Sequence, residues 1–302
     1  MTASRITYDS LATAGVTAEE LAALARQARG GAYGGRGYGY EDHFAVSCLI
    51  AASVAWFERG EDWVVTLGHR CCWVDDVVVE RPDAEQYAQL KTSPDETWGR
   101  EDGRLRQQFR RQAEVCRARG VGEFALSIVT PHEDRRVHFE SAMPVELRGT
   151  TTAVLFSDRP LGWDRGSPVA KDLEELCAGA PEPSMREQLL RAMYGAYHWM
   201  RQRGDVLTSS RFVAAIAADE HVPLRSDATV ADAALWAAVT EGLAARLPGL
   251  RLRLTRGFIF YEYVDDERGI VARADSERAL RFLTRLAARS PATIDEFHQE
   301  LP

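Results

Sequence analysis

The chain has almost no lysine and few cysteines, and both shortages limit what it can do. Two of its 37 basic residues are lysines, Lys91 and Lys171, and the other 35 are arginines. The five cysteines form an odd set without a C-x-x-C pair, which disfavours a disulfide framework and a zinc site. A reducing cytoplasm is therefore the expected location.

Long apolar runs and an excess of positive charge are also missing. The longest apolar stretch, Phe44 to Phe57, has about 14 residues, whereas a bilayer-spanning helix needs ~20. Met1 to Arg5 lead into polar sequence without the apolar core of a signal peptide. A net charge of −8 argues against a protein coated in basic surface for nonspecific nucleic-acid binding, but it allows a local basic groove. We expect no membrane contact.

What is present is ordinary globular sequence of 302 residues, 45% hydrophobic and 27% charged. Apolar spacing predicts the following elements: helices at 18–28, 40–57 and 101–119, and strands at 62–67, 71–80, 85–91, 124–129 and 152–156. From Lys171 onward helical patterns dominate, apart from a strand-like pair at 251–255 and 258–263. The predicted class is α/β. A domain at 1–170 would contain a helix, a three-stranded antiparallel meander, a helix and a strand, and a mainly helical region would follow at 171–302.

Lys91 closes a group of polar residues on the second and third predicted strands. It lies two residues after Gln89 and fifteen after Asp76. Side chains alternate along a strand, so Gln89 and Lys91 share a face, and only one of Asp75 and Asp76 can join them. Glu41 lies on the buried stripe of the preceding helix. Hard oxygen ligands beside a lysine would form a magnesium-dependent site for phosphodiester cleavage.

These residues have a family resemblance. Gly39-Tyr40-Glu41, Asp75-Asp76-Val77-Val78-Val79, Gln89-Leu90-Lys91, Thr97-Trp98 and then Asp102-Gly103-Arg104-Leu105 with Phe109 resemble the PD-(D/E)xK nuclease superfamily. The pattern is most similar to its Mrr-related branch, and especially to nuclease domains at the N-termini of bacterial anti-phage effectors. The resemblance covers roughly residues 30–130. In that branch a glutamine commonly replaces the second acidic residue. A restriction-endonuclease-like core is the fold that the resemblance implies.

The resemblance also implies roles. Asp76 would be the metal carboxylate with Asp75 as its substitute, Gln89 the ligand in the second acidic position, Lys91 the lysine that orients water, and Glu41 an accessory acid. The cofactor would be Mg²⁺ or Mn²⁺, and the substrate double-stranded DNA cut with little sequence specificity. Such domains usually depend on a sensor or ATPase module, and the chain has no Walker motif. A regulatory partner subunit or oligomerisation through the C-terminal helices is therefore expected.

The predicted helix at 101–119 carries the cations that would track DNA phosphates, namely Arg104, Arg106, Arg110 and Arg111. A solvated helix face explains these cations equally well. Each site residue also has a simpler explanation. The two aspartates could cap a turn, Glu41 could complement the helix dipole, and Lys91 could protect a strand edge. A catalytically inactive nuclease-fold subunit that binds DNA or assembles a defence complex is thus the alternative function.

Four further groups are interpreted as structural. His132, Glu133, Asp134 and His138 match no zinc spacing and are interpreted as a polar loop. The aromatic residues of 194–199 are interpreted as helix core. Asp265-Asp266-Glu267 is interpreted as a turn, and Gly30 to Tyr40 as a flexible entry loop that lacks the end of a P-loop.

Overall fold

The structure is a computed structural model that describes residues 4–31, 38–93, 95–99, 103–157, 168–178, 183–219, 221–264 and 267–302. The chain divides into two compact units. The first comprises 1–170 and 193–213, and the second comprises 171–192 and 214–302. The predicted border after residue 170 is thus also a border between the units. Residues 193–213, however, return to the first unit.

The first unit is built on a six-stranded mixed sheet of order β5-β4-β3-β2-β1-β6. Its strands are β1 (Val64–Leu67), β2 (Val77–Glu80), β3 (Ala84–Leu90), β4 (Glu123–Thr130), β5 (Thr151–Leu155) and β6 (Leu207–Thr208). The first three strands form the predicted antiparallel meander, and β4 and β5 add to it in parallel. The short β6 pairs antiparallel with β1. A β6 strand contributed from far along the chain was not predicted.

Helices surround this sheet in the order α1 (Tyr8–Thr13), α2 (Ala18–Gly31), α3 (Tyr38–Arg59), α4 (Arg104–Ala118) and α5 (Glu133–Ser141). Helix α3 packs on β1 and β2, and its stripe at Ala45, Leu49 and Ala52 is fully buried. Helix α4 buries Leu105, Phe109 and Ala113 in the core over β2, β3 and β4, in keeping with their helical spacing. The parallel β3 and β4 are joined through α4, as parallel strands require a crossover.

Two predictions for the first unit are wrong in detail. Strand β2 begins at Val77 rather than at Cys71, because the N–H groups of Gly68 and His69 donate to the carbonyl oxygens of Asp76 and Asp75 and close a loop. The cysteine pair therefore lies in that loop, not in a strand. The segment interpreted as a polar loop at 132–138 lies largely within α5, where the acidic first turn complements the helix dipole.

The second unit contains helices and a three-stranded antiparallel sheet. Its elements are α6 (Pro168–Leu176), α7 (Pro183–Gln202), α8 (Ser209–Ala217), α9 (Ala233–Arg246), β7 (Arg251–Thr255), β8 (Phe258–Glu262), β9 (Arg268–Arg273), α10 (Glu277–Arg289) and α11 (Ile294–Glu300), with α6, α7 and α8 crossing the unit borders. One core joins this sheet to α9, α10 and α11 through Ile259, Val271, Leu243, Phe282 and Phe297. The predicted helices and the strand pair are present, and β9 is an additional strand.

The α/β class is confirmed by this architecture. Within the described ranges, no helix combines the length and the apolar character needed to cross a bilayer.

Candidate active site

Asp76 lies where β2 and β3 meet at one end of their hairpin. The antiparallel register pairs Val77 with Ala88, which brings the residue before β2 opposite Gln89. The Asp76 Oδ2 atom accepts a hydrogen bond from the Leu90 backbone N–H at 2.6 Å and a second one from Gln89 Nε2. Both bonds go to Oδ2, so Oδ1 of this half-buried carboxylate is not used by Leu90 or by Gln89.

Gln89 carries the most informative single atom of the site. Its side chain is 7% exposed, and its amide nitrogen is committed to Asp76. Its carbonyl oxygen Oε1 is buried and has no hydrogen-bond partner among the described residues. Leaving a buried polar atom unpaired costs about 1–3 kcal/mol, so such an atom in a folded protein needs an explanation. A bound cation or an ordered water supplies one.

Glu41 enters the site from the first turn of α3. Its pKa is raised above the ordinary value by burial first and then by the charges of Asp76 and Asp42, while Arg201 opposes the rise. Burial likewise raises the pKa of Asp76, although the bonds from Leu90 and Gln89 and the charge of Lys91 lower it. Two desolvated carboxylates that repel each other form a place where a divalent cation would be stabilising.

Lys91 completes the group as the first residue after β3. Its backbone N–H donates to the Val129 carbonyl oxygen at 2.8 Å, which continues the β3–β4 ladder and fixes the backbone of this residue. The side chain is 23% exposed, and Nζ lies 3.4 Å from Glu96 Oε1. A partly exposed pair of this kind is worth at most about 1 kcal/mol. The ammonium group can therefore exchange Glu96 for a phosphate oxygen at little cost.

Two side chains of α7 bind the carboxylate next to Glu41, and the sequence did not predict this contact. Arg201 forms an ion pair with Asp42, the neighbour of Glu41, and its Nη1 donates to the Tyr197 hydroxyl at 3.1 Å. The Tyr197 hydroxyl in turn donates to Asp42. Tyr197 is fully buried, in keeping with its interpretation as helix core, and its hydroxyl binds the α3 carboxylate. The same interpretation is wrong for Trp199, which is 52% exposed. The signal for this contact in the sequence is a tyrosine four residues before an arginine on one helix, Tyr197 and Arg201.

The structure separates the two adjacent aspartates. Asp76 is bound by Gln89 and Leu90, whereas Asp75 accepts at its backbone from the His69 N–H and its charge acts on the Cys72 thiol. The pKa of that thiol is raised mainly by burial, then by its neighbours. The structure thus brings Asp76, and not Asp75, together with the amide of Gln89.

The four arginines proposed for DNA contact lie on α4: Arg104, Arg106, Arg110 and Arg111. Arg106 pairs with Glu146 at 2.5 Å, Arg111 pairs with Glu20 at 2.8 Å, and Arg110 lies 3.6 Å from a glutamate one turn later. Surface pairs like these contribute about 0–1 kcal/mol, so they do not bar phosphate binding and do not favour it either. Contact of these arginines with DNA stays a prediction.

Trp98, which also carries the family resemblance, makes contacts that stabilise the fold. Trp98 is buried, its Nε1 donates to the Phe139 carbonyl oxygen at 2.8 Å, and its ring packs edge-on against Phe109. Asp102 and most of the glycine-rich loop before α3 lie outside the described residues, as do Asp265 and Asp266.

Asp76, Glu41 and Gln89 carry the hard oxygen donors that a divalent ion such as Mg²⁺ prefers. Among the described residues, no group of three or more His, Cys, Asp and Glu side chains is arranged around a metal position. The present site has two such carboxylates, Glu41 and Asp76, and its third oxygen is the unpaired amide oxygen of Gln89. Mg²⁺ accepts a small set of oxygen ligands because it retains several waters.

Comparisons with protein-family models, with curated proteins and with solved structures found no match to this chain.

Proposed function

We propose that this protein is a Mg²⁺- or Mn²⁺-dependent endonuclease that hydrolyses double-stranded DNA with little sequence specificity. The observation that carries the proposal is the buried Oε1 of Gln89, which has no hydrogen-bond partner in the described part of the chain, on the side chain whose amide nitrogen binds Asp76. The charges of Glu41 and Lys91 act on the same group of residues. The strand order and the parallel β3–α4–β4 crossover agree with the restriction-endonuclease-like core of the resemblance. A role in anti-phage defence rests on that resemblance alone.

Each side chain has a role in the proposed reaction. Asp76, Gln89 and Glu41 would hold the ion, which supplies a polarised water and stabilises charge on the phosphate when bound. Lys91 contributes a fixed positive charge that binds a phosphate oxygen and orients the attacking water. The water oxygen bonds to phosphorus, one ester P–O bond breaks, and the products are a phosphate monoester and a hydroxyl group.

The polar contacts around the site keep these groups in place. The Leu90 N–H and the Gln89 amide hold Asp76 in one orientation. Arg201 stands close enough to Glu41 to favour its ionised form against burial and the neighbouring acids. Arg201 is therefore a positioning residue, and its loss should move the pH profile of cleavage toward higher pH.

The test is cleavage of supercoiled plasmid with and without divalent metal. Lys91→Ala should lower the metal-dependent rate by about 10²–10³-fold, the range found when one electrostatic donor is removed from a preorganised site. Lys91→Arg should fail nearly as badly, because a planar guanidinium cannot replace a compact point charge. Lys171→Ala is the matched control, since it removes the other lysine, exposed on α6. Wild-type cleavage by Lys91→Ala would remove this residue from the mechanism.

Two observations favour the alternative, a nuclease-fold subunit without catalysis. A neutral glutamine occupies the second acidic position, and Lys91 is already paired with Glu96. Calorimetry with Mn²⁺ separates the two functions, because an inactive scaffold need not bind the ion. An effector whose activity is controlled by a partner subunit or by oligomerisation stays a prediction, and cleavage should also be measured with candidate partners.

A further inference from the structure

The small sheet of the second unit has one face that is not used by its core. The core face carries Ile259 and Tyr261, which pack with Phe297 and neighbouring helix residues. Phe260 lies between these two residues on β8, and its side chain points to the opposite face of the sheet because side chains alternate along a strand. The strand registers align Phe260 with Arg253 of β7 and with Ile270 of β9, so these three side chains form one row across this outer face.

A cavity of about 410 Å³ covers this row. Its lining includes Phe260, Tyr261, Ile270, Arg253, Arg268 and Glu262, so aromatic and aliphatic side chains are combined with two guanidinium groups and one carboxylate. Cavities that bind small molecules usually measure about 300–1,000 Å³ and place few polar groups on an apolar floor. All of the lining belongs to the second unit.

The charge of this face opposes that of the chain. Glu262 has Arg251 and Arg268 as its strand partners, and it forms an ion pair with Arg253 at 3.1 Å. Three arginines thus surround one glutamate in a protein whose net charge is −8. Guanidinium groups bind phosphate through paired hydrogen bonds, and an aromatic ring offers a stacking surface to any nucleobase.

We propose that this cavity binds a nucleotide unit, with its base against Phe260 and Ile270 and its phosphate at Arg253 and Arg268. The unit can be a free nucleotide or one nucleotide of a single strand, since the chemistry of base and phosphate is the same. The proposal does not depend on the nuclease function, because none of its residues belongs to the site around Asp76.

Calorimetric titration of the full chain with adenosine 5′-monophosphate tests the proposal. EDTA excludes divalent metal, so no nuclease activity interferes, and the parallel arm uses an oligothymidylate of about eight nucleotides. Adenosine and inorganic phosphate, each alone, should bind at least about tenfold more weakly than the nucleotide, because each lacks one half of the contacts. Tighter binding of the oligonucleotide identifies a single strand as the ligand, and tighter binding of the mononucleotide identifies a free nucleotide.

Two variants and one control locate the site. Phe260→Leu keeps an apolar side chain but removes the stacking surface, and Arg268→Gln removes one cation from an exposed position. Each should weaken nucleotide binding by about tenfold, since a stacking contact or a charge-assisted hydrogen bond is worth roughly one decade. Arg281→Gln removes a cation from exposed α10 outside the cavity and should leave binding unchanged.

The outcomes are decisive even when one variant misfolds. If thermal melting shows that Phe260→Leu unfolds the second unit, Arg268→Gln and its control carry the test, because the Arg268 side chain is exposed. Binding of neither nucleotide nor oligonucleotide below about 1 mM overturns the proposal. Equal weakening by Arg268→Gln and Arg281→Gln also overturns it, because net charge rather than the cavity would then explain the binding.

Discussion

Replacement of Glu41 by glutamine should stabilise the metal-free protein at neutral pH. The change is nearly isosteric and removes one charge from a half-buried position. The folded-state pKa of Glu41 is raised by burial and by Asp76 and Asp42, so the native state holds its proton more tightly than the unfolded chain does. Wild-type stability therefore falls as pH rises from the ordinary glutamate range through the raised pKa, and below that range the carboxyl contributes nothing. The advantage of Glu41→Gln should appear above this window and vanish in acid.

With divalent metal present, the wild type should become more stable than Glu41→Gln. A ligand at a hundred times its dissociation constant adds about 2.7 kcal/mol to the folded state. For a unit of this size, about 2–4 °C of melting temperature corresponds to each kcal/mol, so the wild type should gain roughly 5–10 °C. Glu41→Gln should gain much less at the same concentration, because a neutral amide oxygen attracts the ion less than a carboxylate does.

Scanning fluorimetry from pH 5 to 8, with EDTA or Mn²⁺, measures both effects. Glu58→Gln is the matched control, since it makes the same change near the other end of α3 on an exposed side chain. An equal rise of melting temperature with Mn²⁺ in wild type and Glu41→Gln would show that Glu41 holds no ion. A variant that is not more stable than the wild type at neutral pH in EDTA would refute the electrostatic reasoning.

Further predictions concern metal affinity and both units of the chain. Asp76→Ala should abolish Mn²⁺ binding in calorimetry while Asp75→Ala should not, because only Asp76 is held against the site amide; equal losses would contradict this geometry. Arg119→Leu should lower the free energy of unfolding in urea by about 3–5 kcal/mol, because it leaves the buried Glu85 without its cation. Glu85 is 2% exposed and accepts two hydrogen bonds from Arg119, at 2.8 and 3.0 Å, so a loss below about 1 kcal/mol would argue against a buried pair. Gly257→Ala should destabilise the second unit by more than about 1 kcal/mol in thermal melting, because its φ is +79° and the new Cβ would lie 2.6 Å from a backbone carbonyl oxygen; an unchanged melting temperature would contradict this.

The sequence alone predicted elements whose signal is local. The stripe of α3 and the buried face of α4 are repeated within one segment, so periodicity identifies them before any folding. The placement of Gln89 and Lys91 on one face, at the end of β3 and directly after it, follows from the two-residue period of extended chain. The isolated lysine among many arginines indicated which segment to examine.

Other features depended on pairings between distant segments. The register of β2 with β3, which pairs Val77 with Ala88, brings Asp76 against Gln89. Arg201 and Tyr197 reach Asp42 from α7, more than 150 residues later in the chain.

The cavity of the second unit likewise required three strands in register, and β9 was not predicted because its short run gives little periodicity. Helical and strand patterns are fixed by neighbours in sequence, whereas a site forms where segments meet. The free energy that holds distant segments together comes from burial and hydrogen bonding between residues that no local pattern connects. The sequence by itself therefore determined the elements and the candidate chemistry, and the tertiary structure decided which side chains share a site.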